Sequence, residues 1–377
     1  MVNVAVQRAK GILCAIFMFL SSSLGAVLMM GPVLPFMLLK PDVCRRKMDE
    51  LIGLWETLPV AVLEIVMGMK IRIYGDRFIP GERCIIVMNH RTRLDWMFFW
   101  SCLFRYEGGT RHEKISLKKA LKHVPGTGWA MQNAAYIFLE RKWETDKILL
   151  QKMIGYFADL KHKTQLLIFP EGTDLTANTK NKSDIFAQKN NKKSYDYVLH
   201  PKTTGFSFIA QEMRKNNALD AIYDVTVGYP DSIPQTEQAL LHGNLPKEVH
   251  FYCKRHPVVT IPITEEGLGT WLQNQWEKKE ECLKNFYEEK QFTGVEELKF
   301  HDNEIRYSLY FYLTFWVTAT MTFVFLILFS HIARIYALAV GIFYFSVDKL
   351  FGGTGMLQIE IHRWLQKALW KTTKKES

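Results

Sequence analysis

Many familiar catalytic and binding signatures are absent from this sequence of 377 residues. None of its six cysteines stands in a C-x-x-C pair, and two of them lie inside strongly apolar runs. That spacing excludes a zinc ribbon and the disulfide framework of a small secreted domain; it fits free thiols in a reducing compartment. The 11 histidines include no H-E-x-x-H. No G-x-S-x-G, G-x-x-x-x-G-K-[ST] or G-x-G-x-x-G occurs, which removes the nucleophile elbow, the P-loop and the dinucleotide fingerprint. Internal repeats are lacking. Acidic residues are in deficit, 38 against 48 Lys and Arg, for a net charge of +10. Such a surplus suits a surface that meets phosphates, without choosing among lipid, nucleotide and nucleic acid. Nothing beyond the charge supports nucleic acid.

What the chain does have is apolar. Hydrophobic residues make up 48% and aromatics 13%, ample for a large core and incompatible with a disordered chain. Gly11 to Leu39 contains no charged residue and is long enough for a bilayer crossing of roughly 20 residues, even when tilted. Ser21-Ser22-Ser23, Gly31 and Pro32 interrupt it, so a bent or re-entrant pair of helices is the alternative. Leu51 to Met69 is apolar but carries Glu56 and Glu64, which argue for a helix on the membrane surface or packed on the domain. Tyr307 to Ser330 is a second uncharged run, and Ile335 to Val347 returns if Arg334 snorkels to the interface. Lys40, Arg45, Arg46 and Lys47 after the first run place the following domain in the cytosol by the positive-inside tendency. The terminal Lys374-Lys375-Glu376-Ser377 resembles a dilysine retrieval signal, giving an expected location in the endoplasmic reticulum membrane, multi-pass. The sequon Asn181-Lys182-Ser183 would then stay bare.

Three segments follow: 1–69 with membrane-embedded and interfacial helices, 70–295 as a catalytic domain, and 296–377 as a transmembrane hairpin with a basic cytosolic tail. In the central segment, strands are expected at 70–74, 83–88, 134–139, 165–169, 221–229 and 249–254. Helices are expected at 94–104, 145–160, 204–215 and 264–286. The alternation predicts an α/β fold, a mixed sheet flanked by helices. Residues 178–194 read as a polar, Lys-rich loop. The basic residues from Arg111 to His123 read either as a contact for phosphates or as a solvated helix face.

Three expected strands run straight into charged motifs: Asn89-His90-Arg91-Thr92-Arg93-Leu94-Asp95, Glu140-Arg141-Lys142 and Pro170-Glu171-Gly172-Thr173-Asp174. Ligands of open α/β sheets bind outside the carboxyl ends of strands, so parallel neighbours would bring these motifs to one crevice. An imidazole titrates near pH 6.5, which makes His90 the candidate general base. An offset of five on a regular helix turns Asp95 roughly 140° away from His90. His90 must therefore precede the helix, with Asp95 in its first turn, where the carboxylate can fix the ring tautomer. The alternative has His90 capping the helix and Asp95 paired with Arg91 or Arg93.

The segment N-H-R-T-R-L-D resembles the NHxxxxD box of the 1-acylglycerol-3-phosphate acyltransferase family of glycerolipid acyltransferases. Tyr136 to Arg141 and Phe169 to Thr173 resemble its second and third motifs, in the same order and spacing. Gly128 to Gln132, Val198 to Phe206 and Trp276 to Tyr287 are most similar to the lysocardiolipin and lysophosphatidylinositol acyltransferase branch. The resemblance implies that His90 deprotonates a lysophospholipid hydroxyl, which attacks the thioester of acyl-CoA, with Asp95 orienting the imidazole. It implies that Arg141 holds an anionic headgroup, unless it pairs with Glu140 or Glu144. Glu171, Gly172 and Thr173 would bind the acceptor, with Glu171 ordering a hydroxyl or the Arg141 guanidinium. Lys202, in Leu199-His200-Pro201-Lys202, stands for the basic residue of a fourth motif, expected on a strand bearing a proline. Glu140 departs from the usual second motif. The partners implied are acyl-CoA as co-substrate, an anionic lysophospholipid and the bilayer; no metal or bound cofactor is called for. The competing classes are a non-catalytic lipid-transfer or scaffold protein, and a hydrolase of acyl-CoA or phospholipid. Acyl-transfer rates measured across pH should fall below about pH 6.5, where an imidazole base is protonated; a rate flat into acid removes His90 as the base.

Overall fold

Side chains that alternate across a strand give a sheet two apolar faces, and each must be covered. In the computed structural model, which describes residues 4–376 with side chains to Ala368, there are seven strands. They are β1 (Lys70–Gly75), β2 (Cys84–Met88), β3 (Glu113–Lys118), β4 (Ile137–Leu139), β5 (Gln165–Ile168), β6 (Ala221–Gly228) and β7 (Glu248–Pro257). The order across the sheet is β1-β7-β6-β2-β5-β3-β4. β6, β2, β5, β3 and β4 run parallel; β7 turns back against β6 and carries β1 with it. On β2, Cys84, Ile86 and Met88 join one core while Ile85 and Val87 join the other.

Helix α1 (Val4–Gly25) continues through a π turn at Ala26–Met30 and a 3-10 turn at Gly31–Val33 into the short α2 (Phe36–Leu39). Pro32 and Pro35 deny the backbone the donors a straight helix needs there. Then come α3 (Pro41–Ala61), α4 (Asp95–Leu103), α5 (Thr127–Asn133) and α6 (Trp143–Asp159). They are followed by α7 (Ala177–Lys189), α8 (Thr203–Lys215), α9 (Gln238–Leu241) and α10 (Glu265–Glu289). The chain ends in α11 (Asp302–Phe329), α12 (His331–Phe351) and α13 (Thr354–Glu376). Ile154, Phe206, Leu272 and Trp276 from α6, α8 and α10 fill one face of the sheet. Met48, Ile52, Phe98 and Phe99 from α3 and α4 fill the other, extended by Leu309 and Tyr344 of α11 and α12.

Among the described residues three helical segments are long and apolar enough to cross a bilayer: Val4–Leu39, Asp302–Phe329 and His331–Phe351. The last two meet at Ser330, whose hydroxyl caps α12 by accepting from Ala333 N at 3.2 Å. Arg334 donates to the Leu328 carbonyl at 2.7 Å, satisfying an end of α11 that has no further turn.

Three expectations need correction. Residues 178–194 are largely helix, because Thr176 and Thr179 cap each other's backbone N–H at 3.2 and 2.8 Å. Residues 111–123 are a helix only at their end: Glu113–Lys118 is an interior strand whose Glu113 and Lys114 are buried, and a 3-10 helix follows at Lys119–His123. The stretch 199–202 is not a strand but the coil leading into α8. Near the end of the chain, α13 packs Ile359 into the core beneath α6 and buries Gln358 and His362. The side chains of Lys374 and Lys375 lie outside the described residues.

Asp49 ties these parts together. It accepts from Arg45 at 2.9 Å, Lys114 at 2.8 Å and His162 at 3.0 Å, with Arg45 and Lys114 almost wholly shielded from solvent. Burial alone would raise its pKa, yet Arg45, Lys114 and His162 hold it far below the ordinary carboxylate value. Asp49 thus joins α3, β3 and the segment after α6, and Arg45, which also donates to the Asn133 carbonyl at 2.7 Å, ties α5 to the same cluster. Asp49→Asn should destabilise the protein by about 3–5 kcal/mol by leaving buried cations uncompensated. Glu50→Gln, which loses only the exposed pair with Lys47, should cost under about 1 kcal/mol. Thermal or denaturant unfolding in detergent micelles compares the two.

Candidate active site

Strands β2 and β5 are neighbours, while β3 lies between β5 and β4. Their parallel direction brings all three charged motifs to the same end of the sheet. His90 follows β2 outside any helix and Asp95 is the first residue of α4. His90 Nδ1 lies 2.9 Å from Asp95 Oδ2. The same oxygen accepts from Thr92 N at 2.9 Å; Oδ1 accepts from Thr92 Oγ1 at 3.3 Å and from the Tyr229 hydroxyl. Asp95 is fully buried and keeps every donor it needs. Its partners are not Arg91 or Arg93: Arg91 donates to the Leu175 carbonyl at 3.0 Å, and Arg93 faces Glu237 at 3.5 Å. The His90 side chain is 17% exposed, its ring stacks on Phe169 with centroids 4.2 Å apart, and its Nε2 has no hydrogen-bond partner among the described residues.

The turn after β5 closes with Gly172 N donating to Phe169 O at 2.9 Å, Gly172 adopting φ +74. A Cβ at Gly172 would stand 3.2 Å from the Lys202 ammonium, so this position brings backbone and cation together. Arg141, also at positive φ (+64), donates to the Gly172 carbonyl at 3.1 Å. No carboxylate pairs with Arg141 among the described residues; Glu140 is taken by Lys119. Lys118, Lys119, Arg141 and Lys142 line an open groove of about 450 Å³. The exposed part of the site is thus cationic, and Thr173 sits half-buried at its edge.

Glu171 does not reach Arg141. Its Oε1 accepts from His90 N at 3.2 Å and Trp276 Nε1 at 3.3 Å, and its Oε2 from Leu199 N at 3.1 Å. It therefore joins the histidine turn, α10 and the Leu199–Lys202 stretch from inside. Burial pushes its pKa up to about 8 against the three donors. Leu175 N donates to His90 O at 2.8 Å, closing a second tie between the two turns.

Sequence reasoning missed Tyr229 and Asn89. Asn89 bonds both ways with Val227, at 3.1 and 2.8 Å, extending the β2–β6 ladder by a side chain. Tyr229 directly follows β6, and nothing local marks its hydroxyl as the partner of a carboxylate 134 residues earlier. Among the described residues no group of three His, Cys, Asp or Glu side chains is placed to hold a metal ion.

A His–Asp pair, its carboxylate buried, thus lies beside unpaired cations at the carboxyl end of a mixed sheet. The chain belongs to the acyltransferase family and is an acyltransferase: the Acyltransferase model matches residues 70–230 and the Acyltransferase C-terminus model residues 239–316. It is 49% identical over 364 residues to lysocardiolipin acyltransferase 1 of Gallus gallus, covering 95% of this chain and 96% of that one. It is 43% identical over 249 residues to lysophosphatidylinositol acyltransferase 10 of Caenorhabditis elegans, covering 66% and 64%. The crystal structure of the 1-acyl-sn-glycerophosphate acyltransferase PlsC from Thermotoga maritima gives a TM-score of 0.46 at 16% identity, covering 74% and 98%.

Glu171 makes the stability pH-dependent with a defined sign. Its folded pKa lies above the ordinary 4.5, so the stability from proton uptake is fully present below that value and is lost as pH rises through about 8. Unfolding measured from pH 5 to 9 should show this decline in wild type and a flatter curve in Glu171→Gln. Equal slopes would remove Glu171 as the titrating group.

Proposed function

We propose that the protein is a membrane-bound, acyl-CoA-dependent lysophospholipid O-acyltransferase with His90 as general base and Asp95 as its orienting partner. The observation that carries the reading is the 2.9 Å contact between His90 Nδ1 and Asp95 Oδ2, which leaves Nε2 without a partner among the described residues. Asp95 fixes the proton on Nδ1, so Nε2 presents its lone pair. Nε2 takes the proton of the lysolipid hydroxyl as that oxygen attacks the thioester carbonyl. The O–C bond forms, the C–S bond breaks, and the imidazolium returns its proton to the departing CoA sulfur. No protein nucleophile is required, in keeping with the missing G-x-S-x-G.

Arg141, Lys202 and the Gly172–Thr173 turn are assigned to the acceptor phosphate. The unpaired guanidinium 3.1 Å from Gly172 O supports this. In this assignment Glu171 acts from behind, by holding the His90 and Leu199 backbones. The anionic acceptor is lysophosphatidylinositol, lysocardiolipin or lysophosphatidate, each of which offers a phosphate near a hydroxyl. Three candidate spans favour a bilayer location. The basic cluster after the first span and the dilysine-like end favour the endoplasmic reticulum with the catalytic domain in the cytosol.

Full-length protein in microsomes, given acyl-CoA and a panel of lysolipids, tests this directly. His90→Ala should lose about 10²–10⁴-fold in transfer, the range of general-base catalysis, with membrane insertion intact. Arg141→Ala should raise KM for the lysolipid more than it lowers kcat. Undiminished transfer by His90→Ala would refute the base assignment. Fatty-acid release equal with and without lysolipid would favour a hydrolase instead.

A further inference from the structure

Helix α7 is arranged opposite to an ordinary surface helix. Its inward side carries Thr179, Lys180, Ser183, Asp184 and Ala187, of which only Ala187 is apolar. Its outward side carries Asn178, Asn181, Lys182, Ile185, Phe186 and Lys189, all exposed. The two large apolar side chains of the helix are each 44% exposed, Ile185 on the outward side and Phe186 at its edge, where its ring lies 5.5 Å from that of His200. On a 100° helical step, Lys182 and Lys189 fall between them. Neither lysine has a carboxylate within ion-pair distance among the described residues. The Lys192 ammonium lies 6.0 Å from the Phe186 ring, adding a further cation to that side. Exposed Ile and Phe interleaved with unpaired cations match the boundary between anionic headgroups and acyl chains, which accommodates both.

We infer that the outer face of α7 is a docking surface for an anionic bilayer, with Ile185 and Phe186 entering the headgroup layer and Lys182 and Lys189 meeting lipid phosphates. The ends of the helix give this contact a consequence. Thr179 Oγ1 donates to the Asp174 carbonyl at 2.8 Å, just after the Glu171-Gly172-Thr173 turn. Ser183 Oγ accepts from His200 N at 3.1 Å, beside Lys202. Seating α7 on the bilayer thus brings both acceptor-binding stretches to headgroup depth, where a lysolipid presents its phosphate. The inference rests on the membrane location proposed above.

The experiment uses full-length protein in nanodiscs of phosphatidylcholine with or without phosphatidylglycerol, and an environment-sensitive fluorophore on a single introduced cysteine. Ile185→Cys probes α7, Phe325→Cys probes a candidate span, and Glu266→Cys probes an exposed site at the start of α10. Brominated lipid should quench the Phe325 probe in both discs. It should quench the Ile185 probe severalfold more than the Glu266 probe, and more strongly with phosphatidylglycerol present. A quenched Phe325 probe beside an unquenched Ile185 probe overturns the inference while leaving the membrane reading intact; an unquenched Phe325 probe overturns both. An Ile185 probe shielded only in native membranes, without lipid quenching, indicates a protein partner and likewise overturns it. In turnover assays, Ile185→Ser with Phe186→Ser should raise KM severalfold for vesicle-borne lysolipid and leave detergent-dispersed lysolipid unaffected. An equal loss in both formats counts against the docking role.

Discussion

The site depends on one buried carboxylate. Asp95 has no exposure, so its two carboxyl oxygens must find their hydrogen-bond partners inside the protein. Those donors come from the histidine turn, from Thr92 and from Tyr229 at the end of β6. A single side chain thus joins the tip of β2, the first turn of α4 and the end of β6, and its satisfaction fixes the ring of His90. The imidazole is held on its other side by Phe169 at 4.2 Å, which belongs to the strand end leading into the Gly172 turn. Position and tautomer follow from the same few bonds.

Around that centre the protein separates rigid, inward-facing acids from outward-facing cations. Glu171 and Asp49 are both buried, and both act by gathering donors from segments distant in the chain. Arg141, Lys202, Lys118 and Lys142 are left without carboxylate partners among the described residues, and the Gly172 carbonyl keeps Arg141 directed toward the turn. Removing an inner acid disturbs the scaffold, whereas removing an outer cation changes what the scaffold can hold. The helices with exposed apolar faces stand against this domain through α3 and α12, so the domain that carries the His90 crevice and the candidate spans share one packed core.

Strands with apolar runs, such as Cys84–Met88 and, apart from Asp224 and Thr226, Ala221–Gly228, were legible in the sequence because both faces of the sheet are covered. The strand Glu113–Lys118 was not, because its charges are paid for by Asp49 and Trp100, which no local window contains. The helix Ala177–Lys189 was hidden by polar composition; a reciprocal pair of threonines, not apolar periodicity, starts it. Of the candidate residues, His90 lies 2.9 Å from Asp95 and Arg141 reaches the Gly172 carbonyl, while Lys202 approaches Gly172 from coil and not from the expected strand. The inward turn of Glu171 could not be foreseen, since Trp276 and Leu199 reach it only in the folded chain.

The sequence by itself determined the class of fold, the helical ends and the pairing of His90 with Asp95, because each is encoded by short-range pattern: alternation, run length, and a histidine five residues before an aspartate. Only the tertiary structure decided which acids face inward, which cations stay unpaired, that Tyr229 completes the pair, and that α7 turns its apolar side outward. Those outcomes depend on who meets whom across many tens of residues, and the need to satisfy buried polar groups is settled by the whole fold at once.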